Sequence, residues 1–250
     1  MTKRLKGKKA LITGASRGIG RAIAKKFSEK GAYIGINYHS SDEKAKNVLD
    51  FIKKNSEAVL LKGDVSDKND CKRIVAEFVE EFGGLDILVN NAGILEKKNL
   101  EESTVDIFDK TMGVNVRGPF MLSKYSIRYL KDSRSGRIIN MSSHWAFRGS
   151  DQATSYVVSK AALLGLTRAL ALELGPKGIT VNGIAPGTIE TDMIESRYSE
   201  EEKRERAENI PVRRLGKPED IAGTALFLAS EEGSYVNGEV IGVNGGITIH

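Results

Sequence analysis

The feature that most restricts the fold is an alternation of two periodicities along the chain. Seven short apolar runs read as strands: "KALIT" (9–13), "AYIGINY" (32–38), "AVLLKGDV" (58–65), "LDILVNNAG" (85–93), "GRIINMSS" (136–143), "GITVNGIAPG" (178–187) and "GEVIGVNGG" (238–246). Helical spacing fills the gaps. Ile19, Ala22, Ile23 and Phe27 share one face before Gly31 closes the segment. "SDEKAKNVLDFIKK" opens with a capping signal and places Val48, Leu49 and Ile52 together. "CKRIVAEFVEEFG", a long region from about 104 to 131, and "PEDIAGTALFLAS" supply further helices. "SYVVSKAALLGLTRALALELG" is apolar on most sides and predicts a buried helix. Strands alternating with helices predict an α/β fold: a seven-stranded parallel sheet, doubly wound, with helices on both faces. No compositional shift, repeat or low-complexity tract divides the chain, so residues 1–250 read as one domain.

The stretch "ALITGASRGIG" (10–20) joins the first strand to the first helix. There, backbone N–H groups and a helix N-terminus can receive a pyrophosphate. Gly14 permits the sharp turn, Gly18 lets a ligand approach the backbone, and Gly20 lets the helix pack close to the sheet. The spacing is G-x-x-x-G-x-G, not the usual G-x-G-x-x-G dinucleotide fingerprint. Taken alone, the loop also admits a plain strand-to-helix turn.

The other strand ends add to it. Asn90-Asn91-Ala92-Gly93 ends the fourth run, Ser142-Ser143 the fifth and Pro186-Gly187 the sixth; Tyr156 and Lys160 follow Ser143. In a doubly wound sheet such ends line one crevice. With TGASRGIG, NNAG, Asn115, Ser143, the Y-V-V-S-K of 156–160 and IAPGTIETDM (184–193), the chain resembles the short-chain dehydrogenase/reductase family over nearly its whole length. The family implies an oxidoreductase that interconverts a carbonyl and a secondary alcohol with a nicotinamide cofactor.

Tyr156 and Lys160 lie four apart on a helix and share a face. A phenol ionises near pH 10, and a nearby ammonium stabilises its anion. Tyr156 is therefore the candidate general acid/base, and Ser143 the candidate donor to the substrate oxygen. The resemblance implies that Lys160 also holds the nicotinamide ribose and that Asn115 organises a water leading from Lys160 to solvent. It also implies that Ile189 and Thr191 hold the carboxamide, beside Pro186 and Gly187. It further implies that Asp64 and Val65 border the adenine and Asn90 the adenosine-side ribose region, with Ala92 and Gly93 among the cofactor-binding residues. Gly14, Ser16, Arg17, Gly18, Ile19 and Gly20 are the residues expected to form the phosphate loop.

An acid commonly ends the second strand in enzymes that prefer NAD. Here Tyr38 occupies that place, and no acid follows until Asp42. His39, Ser40 and Arg17 are placed to donate to a 2′-phosphate, which favours NADP(H); use of NAD(H) as well is compatible with the same residues. His144 and Trp145 join Ser143 and Tyr156 in the expected substrate pocket, and the charged segment after Pro186 reads as a helical lid.

"PGTIETDM", "RLGKPEDIAGTALFLAS" and "VNGG" resemble 3-oxoacyl-(acyl-carrier-protein) reductases, so the first expectation is an NADPH-dependent ketone reductase acting on a small carbonyl compound, free or carrier-bound. "INYHSSDEKA" and "LKGDV" resemble glucose 1-dehydrogenases, the alternative. A non-catalytic dinucleotide sensor or scaffold is the reading of another class; it usually lacks the Ser, Tyr or Lys present here. The net charge of +5 is spread along the chain and mixed with acids, as in "EEKRERAE", which reads as a solvated surface and not a nucleic-acid site. No apolar run nears the roughly 20 residues of a membrane span, and no secretion signal is read, so the expectation is a cytoplasmic protein. Cys71 is the single cysteine, with no metal-ligand cluster around it. By resemblance the enzyme is a homotetramer.

Overall fold

The computed structural model describes residues 3–192 and 198–249. Seven strands are all parallel: β1 (Lys9–Ile12), β2 (Tyr33–Tyr38), β3 (Ala58–Lys62), β4 (Ile87–Asn90), β5 (Gly136–Met141), β6 (Ile179–Pro186) and β7 (Val240–Val243). Their order in the sheet is β3-β2-β1-β4-β5-β6-β7, as expected for a doubly wound fold. The order reverses between β1 and β4, which opens a crevice at their C-terminal ends.

Alternation along each strand builds two cores. Ala10, Ile12, Ile34, Ile36, Ile87 and Val89 face α1 (Gly18–Glu29), α2 (Asp42–Ile52) and the late helix Pro218–Ala229. Leu11, Leu88 and Ile138 face α3 (Lys68–Phe82), α5 (Gly118–Asp132) and α7 (Thr154–Leu174). A strand buried on both faces must be apolar at consecutive positions, which is why these runs do not alternate with polar residues.

Several elements differ from the expectation. The long helix is interrupted: α4 (Val105–Met112) passes through one π-helical turn, Gly113–Arg117, into α5. Such turns carry an extra residue and re-aim side chains, often at functional sites. A short helix, α6 (Trp145–Arg148), follows β5. Ser41 precedes α2 but makes no side-chain cap bond. Helix α3 begins at Lys68 under an Asp67 cap, so Cys71 lies inside it, fully buried. Burial, then the nearby carboxylates of Asp64, Asp67 and Asp70, push its thiol up to about 12, leaving it protonated and inert. Helix α7 buries one face and exposes Val158 and Leu172 on another, so it is not enclosed on all sides as its composition predicts. Within the expected lid, α8 (Glu200–Glu208) is a helix opened by a Ser199–Glu202 capping box, and residues 193–197 lie outside the described residues; beyond the lid, α9 is Pro218–Ala229.

Candidate active site

The strand ends, the glycine loop and the segment after β6 enclose a crevice of about 760 Å³. Gly14, Ser16, Arg17, Gly18, Ile19, Gly20, Tyr38, His39, Ser40, Asp64, Val65, Ala92, Gly93, Ser143, His144, Trp145, Tyr156, Lys160, Pro186, Gly187, Ile189 and Thr191 all line it. Two predicted residues do not. Asn90 ends β4 with its side chain turned into the protein, where its amide donates to Asn140 Oδ1 at 2.9 Å and Ser123 Oγ at 3.4 Å. Its neighbour faces the switch point instead. Asn91 Nδ2 donates to the carbonyls of Thr13 (2.8 Å) and Gly14 (3.2 Å), while Thr13 Oγ1 accepts the N–H groups of Asn91 and Ala92, each at 2.9 Å. This pair clamps the ends of β1 and β4 together. One step along the chain exchanges the face a side chain meets, so Asn91 lines the crevice where Asn90 does not.

Asn115 sits behind the lining, fully buried on the π-helical turn. Its Oδ1 accepts the Ile94 N–H and its Nδ2 donates to the Ile94 carbonyl, both at 2.9 Å; Nδ2 also donates to Ser159 Oγ at 3.0 Å. Ser159 Oγ in turn donates to the Tyr156 carbonyl at 2.7 Å. Asn115 therefore joins the segment after β4 to the turn of α7 that carries Tyr156. A Cβ on Gly93 would lie 3.2 Å from Lys160 Nζ and 3.3 Å from Asn115 Oδ1, so these groups crowd one point.

The glycine loop meets the crevice with unblocked donors. Arg17 occupies the N-cap of α1 in extended backbone, makes no cap bond, and no acid stands in the first turn. The first N–H groups and the positive end of the helix are thus available to an anion. Asn37, not singled out in the sequence, supports the loop from below. Its Oδ1 accepts Gly14 N–H at 3.3 Å, and its amide donates to the carbonyls of Leu61 and Gly63 at 3.0 and 3.2 Å. A lone Asn in the apolar run "YIGINY" was the available signal. A pyrophosphate fits this cradle: a helix N-terminus without a cap bond, glycines at the contact points and no acid in the first turn of α1.

Tyr156 is half-buried, with Trp145 edge-on to its ring at 5.9 Å and Lys160 Nζ 5.6 Å from its ring centre. Ser143 Oγ accepts the Trp145 N–H at 3.2 Å, and Ser142 Oγ donates to the Lys160 carbonyl at 2.9 Å. The hydroxyl, phenol and ammonium expected from β5 and α7 are thereby brought to one wall. The Lys160 ammonium is buried and donates to the Met141 carbonyl at 2.8 Å. Burial pulls it down to about 8, so it remains mainly charged at pH 7. His144 is pushed down to about 4 by burial, with a smaller effect of Arg148; it is neutral near pH 7 and its Nδ1 lies 3.4 Å from Thr248 Oγ1.

A buried cation held for chemistry weakens the fold. Lys160 binds a proton more weakly folded than unfolded, so below about pH 8 its burial cost is fully present. Stability recovers as the pH rises from about 8 toward the unfolded value near 10.4. Lys160→Met is expected to raise stability at pH 7 by about 2 kcal/mol, with the gain shrinking above pH 8. Urea unfolding across that range measures it; a gain that grows with pH contradicts the assignment.

With the geometry in place, the family follows. The chain belongs to the short-chain dehydrogenase/reductase family and is an oxidoreductase. The family's sequence model described as enoyl-(acyl carrier protein) reductase matches residues 14–248. Among its relatives, an uncharacterised oxidoreductase of Thermotoga maritima is 45% identical over 248 residues, 97% of this chain and 98% of that one. A 3-oxoacyl-(acyl-carrier-protein) reductase of Staphylococcus aureus is 41% identical over 241 residues, 96% and 98% of the two chains. A short-chain dehydrogenase of Burkholderia cenocepacia, solved in complex with NADP, superposes with a TM-score of 0.92 at 39% identity, covering 98% of this chain and 99% of that one.

Proposed function

We propose that this enzyme reduces a ketone to a secondary alcohol with NADPH, in the manner of a 3-oxoacyl-(acyl-carrier-protein) reductase. The observation that carries this reading is the convergence of Ser143, Tyr156 and Lys160 on one wall of a crevice whose far end is the glycine loop. When bound, the nicotinamide supplies the hydride. In this reading Tyr156 gives its phenolic proton to the substrate oxygen, and Ser143 donates a hydrogen bond to the same atom. The Lys160 ammonium stabilises the resulting phenolate electrostatically. Asn115 is a positioning residue that holds Ile94 and, through Ser159, the Tyr156 turn; its water link to Lys160 stays part of the proposal.

The arrangement around Tyr38 supports NADPH. Its hydroxyl donates to Asp42 at 3.1 Å, and Asp42 is paired with Lys62 at 2.9 Å, so the first acid after β2 is already occupied. Arg17, His39 and Ser40 are exposed at the rim. Arg17→Ala is expected to raise the KM for NADPH about tenfold or more and leave that for NADH nearly unchanged, the loss of one charge-assisted phosphate contact. Equal effects on both cofactors contradict that role.

The decisive experiment follows 340 nm absorbance across a panel of 3-oxo thioesters, simple ketones and sugars with each cofactor. NADPH consumption on the 3-oxo compounds supports the reading; sugar oxidation with NADP in their place supports the glucose-type alternative. Inactivity on the whole panel, with intact dinucleotide binding, turns the case toward a sensor. The reading includes a cytoplasmic homotetramer. Exposed Phe120, Val158 and Leu172 on α5 and α7, with Tyr235 and Ile249 near the C-terminus, support self-association. Sedimentation velocity gives the assembly directly. No helix among the described residues is long and apolar enough to cross a membrane.

A further inference from the structure

One feature of the crevice is not used by hydride transfer. The segment after β4 and the expected lid meet across its mouth through Lys97 and Tyr198, 101 residues apart, with the Lys97 ammonium donating to the Tyr198 hydroxyl. Lys97 Nζ also lies 4.5 Å from the centre of the Tyr198 ring, and the Arg206 guanidinium of α8 lies 3.9 Å from the same centre. All three side chains line the crevice. They belong to the end that holds Tyr156, because the Thr154 N–H at the start of α7 donates to the Lys98 carbonyl.

Two cations against one phenol ring are an unusual way to close a lid. The ring's π cloud attracts each of them, yet they repel one another. Among the described residues neither has a carboxylate within ion-pairing distance. Glu202 is near enough for both charges to help hold it below the usual carboxylate range, but Ser199 acts on it first, and its Oε2 is taken by the Ser199 N–H at 2.7 Å. The acids that line the crevice are committed elsewhere: Asp64 accepts from Ser66, and Asp192 is bonded to Lys44. Among the described residues the mouth therefore presents two cations with no carboxylate in direct contact with either. The Arg206 guanidinium, laid on an aromatic face, keeps its edge donors for a planar anion.

We infer that Lys97 and Arg206 form an anion subsite beside Tyr156, so that the ketone this enzyme accepts carries a carboxylate or phosphate group. The inference rests on the reading of the crevice as a site of carbonyl reduction. Tyr198 holds the two cations in place from the lid side, and an anion between them relieves their repulsion as it closes the mouth.

The test uses the single tryptophan, Trp145, whose place against Tyr156 makes its emission a local reporter. The enzyme, saturated with NADP so that no turnover occurs, is titrated with 3-oxo, 4-oxo and 5-oxo carboxylates and their methyl esters. A parallel pair is dihydroxyacetone phosphate and dihydroxyacetone. The expected result is that at least one acid binds about tenfold tighter than its neutral partner, in proportion to one ion pair gained. Lys97→Ala and Arg206→Ala each reduce that preference toward unity, and Arg206→Lys retains part of it. Added salt weakens the acid alone. Which pair shows the preference separates carboxylate from phosphate. Equal binding of every acid and its neutral partner overturns the subsite, as does a preference that survives both alanine variants. Turnover at 340 nm is scored separately. Preferential binding of acids without reduction of any of them defeats the reductase reading and leaves the subsite standing; equal reduction of acids and esters does the reverse.

Discussion

Replacement of Tyr156 by Phe is expected to lower kcat by about 10³-fold, within the 10²–10⁴ that a positioned acid/base contributes, while leaving the affinity for the dinucleotide nearly unchanged. The substitution removes one oxygen and keeps the ring, so the edge-on contact with Trp145 at 5.9 Å persists and the wall keeps its shape. What is lost is the proposed proton donor, which an ammonium supports from the same helix face. Lys160 lies one turn further on, buried and charged near neutral pH. His144 does not replace it, because a ring held at about 4 carries no spare proton at pH 7. Steady-state rates at 340 nm on the best ketone of the panel, beside a fluorescence titration of NADPH, separate chemistry from binding. A variant that retains wild-type kcat removes the phenol from the mechanism.

The second large effect is expected at Gly20, in the first turn of α1. An alanine Cβ there would lie 2.4 Å from the Gly14 carbonyl oxygen and 2.5 Å from Asn91 Nδ2. Neither neighbour can give way cheaply. The first is backbone, and the second is the amide that ties the β4 end to Thr13 and Gly14. Gly14 is itself constrained, with φ of +61°, a conformation that favours glycine. Gly20→Ala is expected to destabilise the fold by about 3 kcal/mol, the upper range for overpacking, and to lower Tm by roughly 6–12 °C in a chain of this size. Because the clash pushes on the phosphate loop, NADPH affinity is expected to fall with it. Thermal unfolding with and without cofactor tests both. An unchanged Tm together with unchanged affinity means that helix α1 has slack against the loop, contrary to the packing described.

Much of the site was legible because its chemistry sits in short motifs at the ends of predicted strands. A parallel sheet brings those ends to one edge whatever lies between them, so placing Gly14, Ser143 and Gly187 on their strands was enough to place them together. What the sequence left open depended on orientation within an element. Asn90 and Asn91 are chemically identical neighbours, and only the register of β4 against β1 and β5 decides which one faces the crevice. The π-helical turn at Gly113–Arg117 has no periodic signature in the sequence, yet it aims Asn115 at Ile94 and Ser159. Ser41 has the residue type of a cap but not the backbone, with φ −100° and ψ 65°, and makes no cap bond. The Lys97–Tyr198–Arg206 cluster was invisible for a similar reason: its members come from the segment after β4 and the charged stretch after β6, which meet only in three dimensions.

The sequence by itself determined the layer architecture, the strand ends that carry chemistry and the pairing of Tyr156 with Lys160, because periodicity and i, i+4 spacing are local properties of the chain. Tertiary structure alone decided which side chain of a pair turns inward, how deeply the ammonium is buried, and which distant cations share one ring. Those depend on register, desolvation and long-range packing, to which residues far apart in the chain contribute at once.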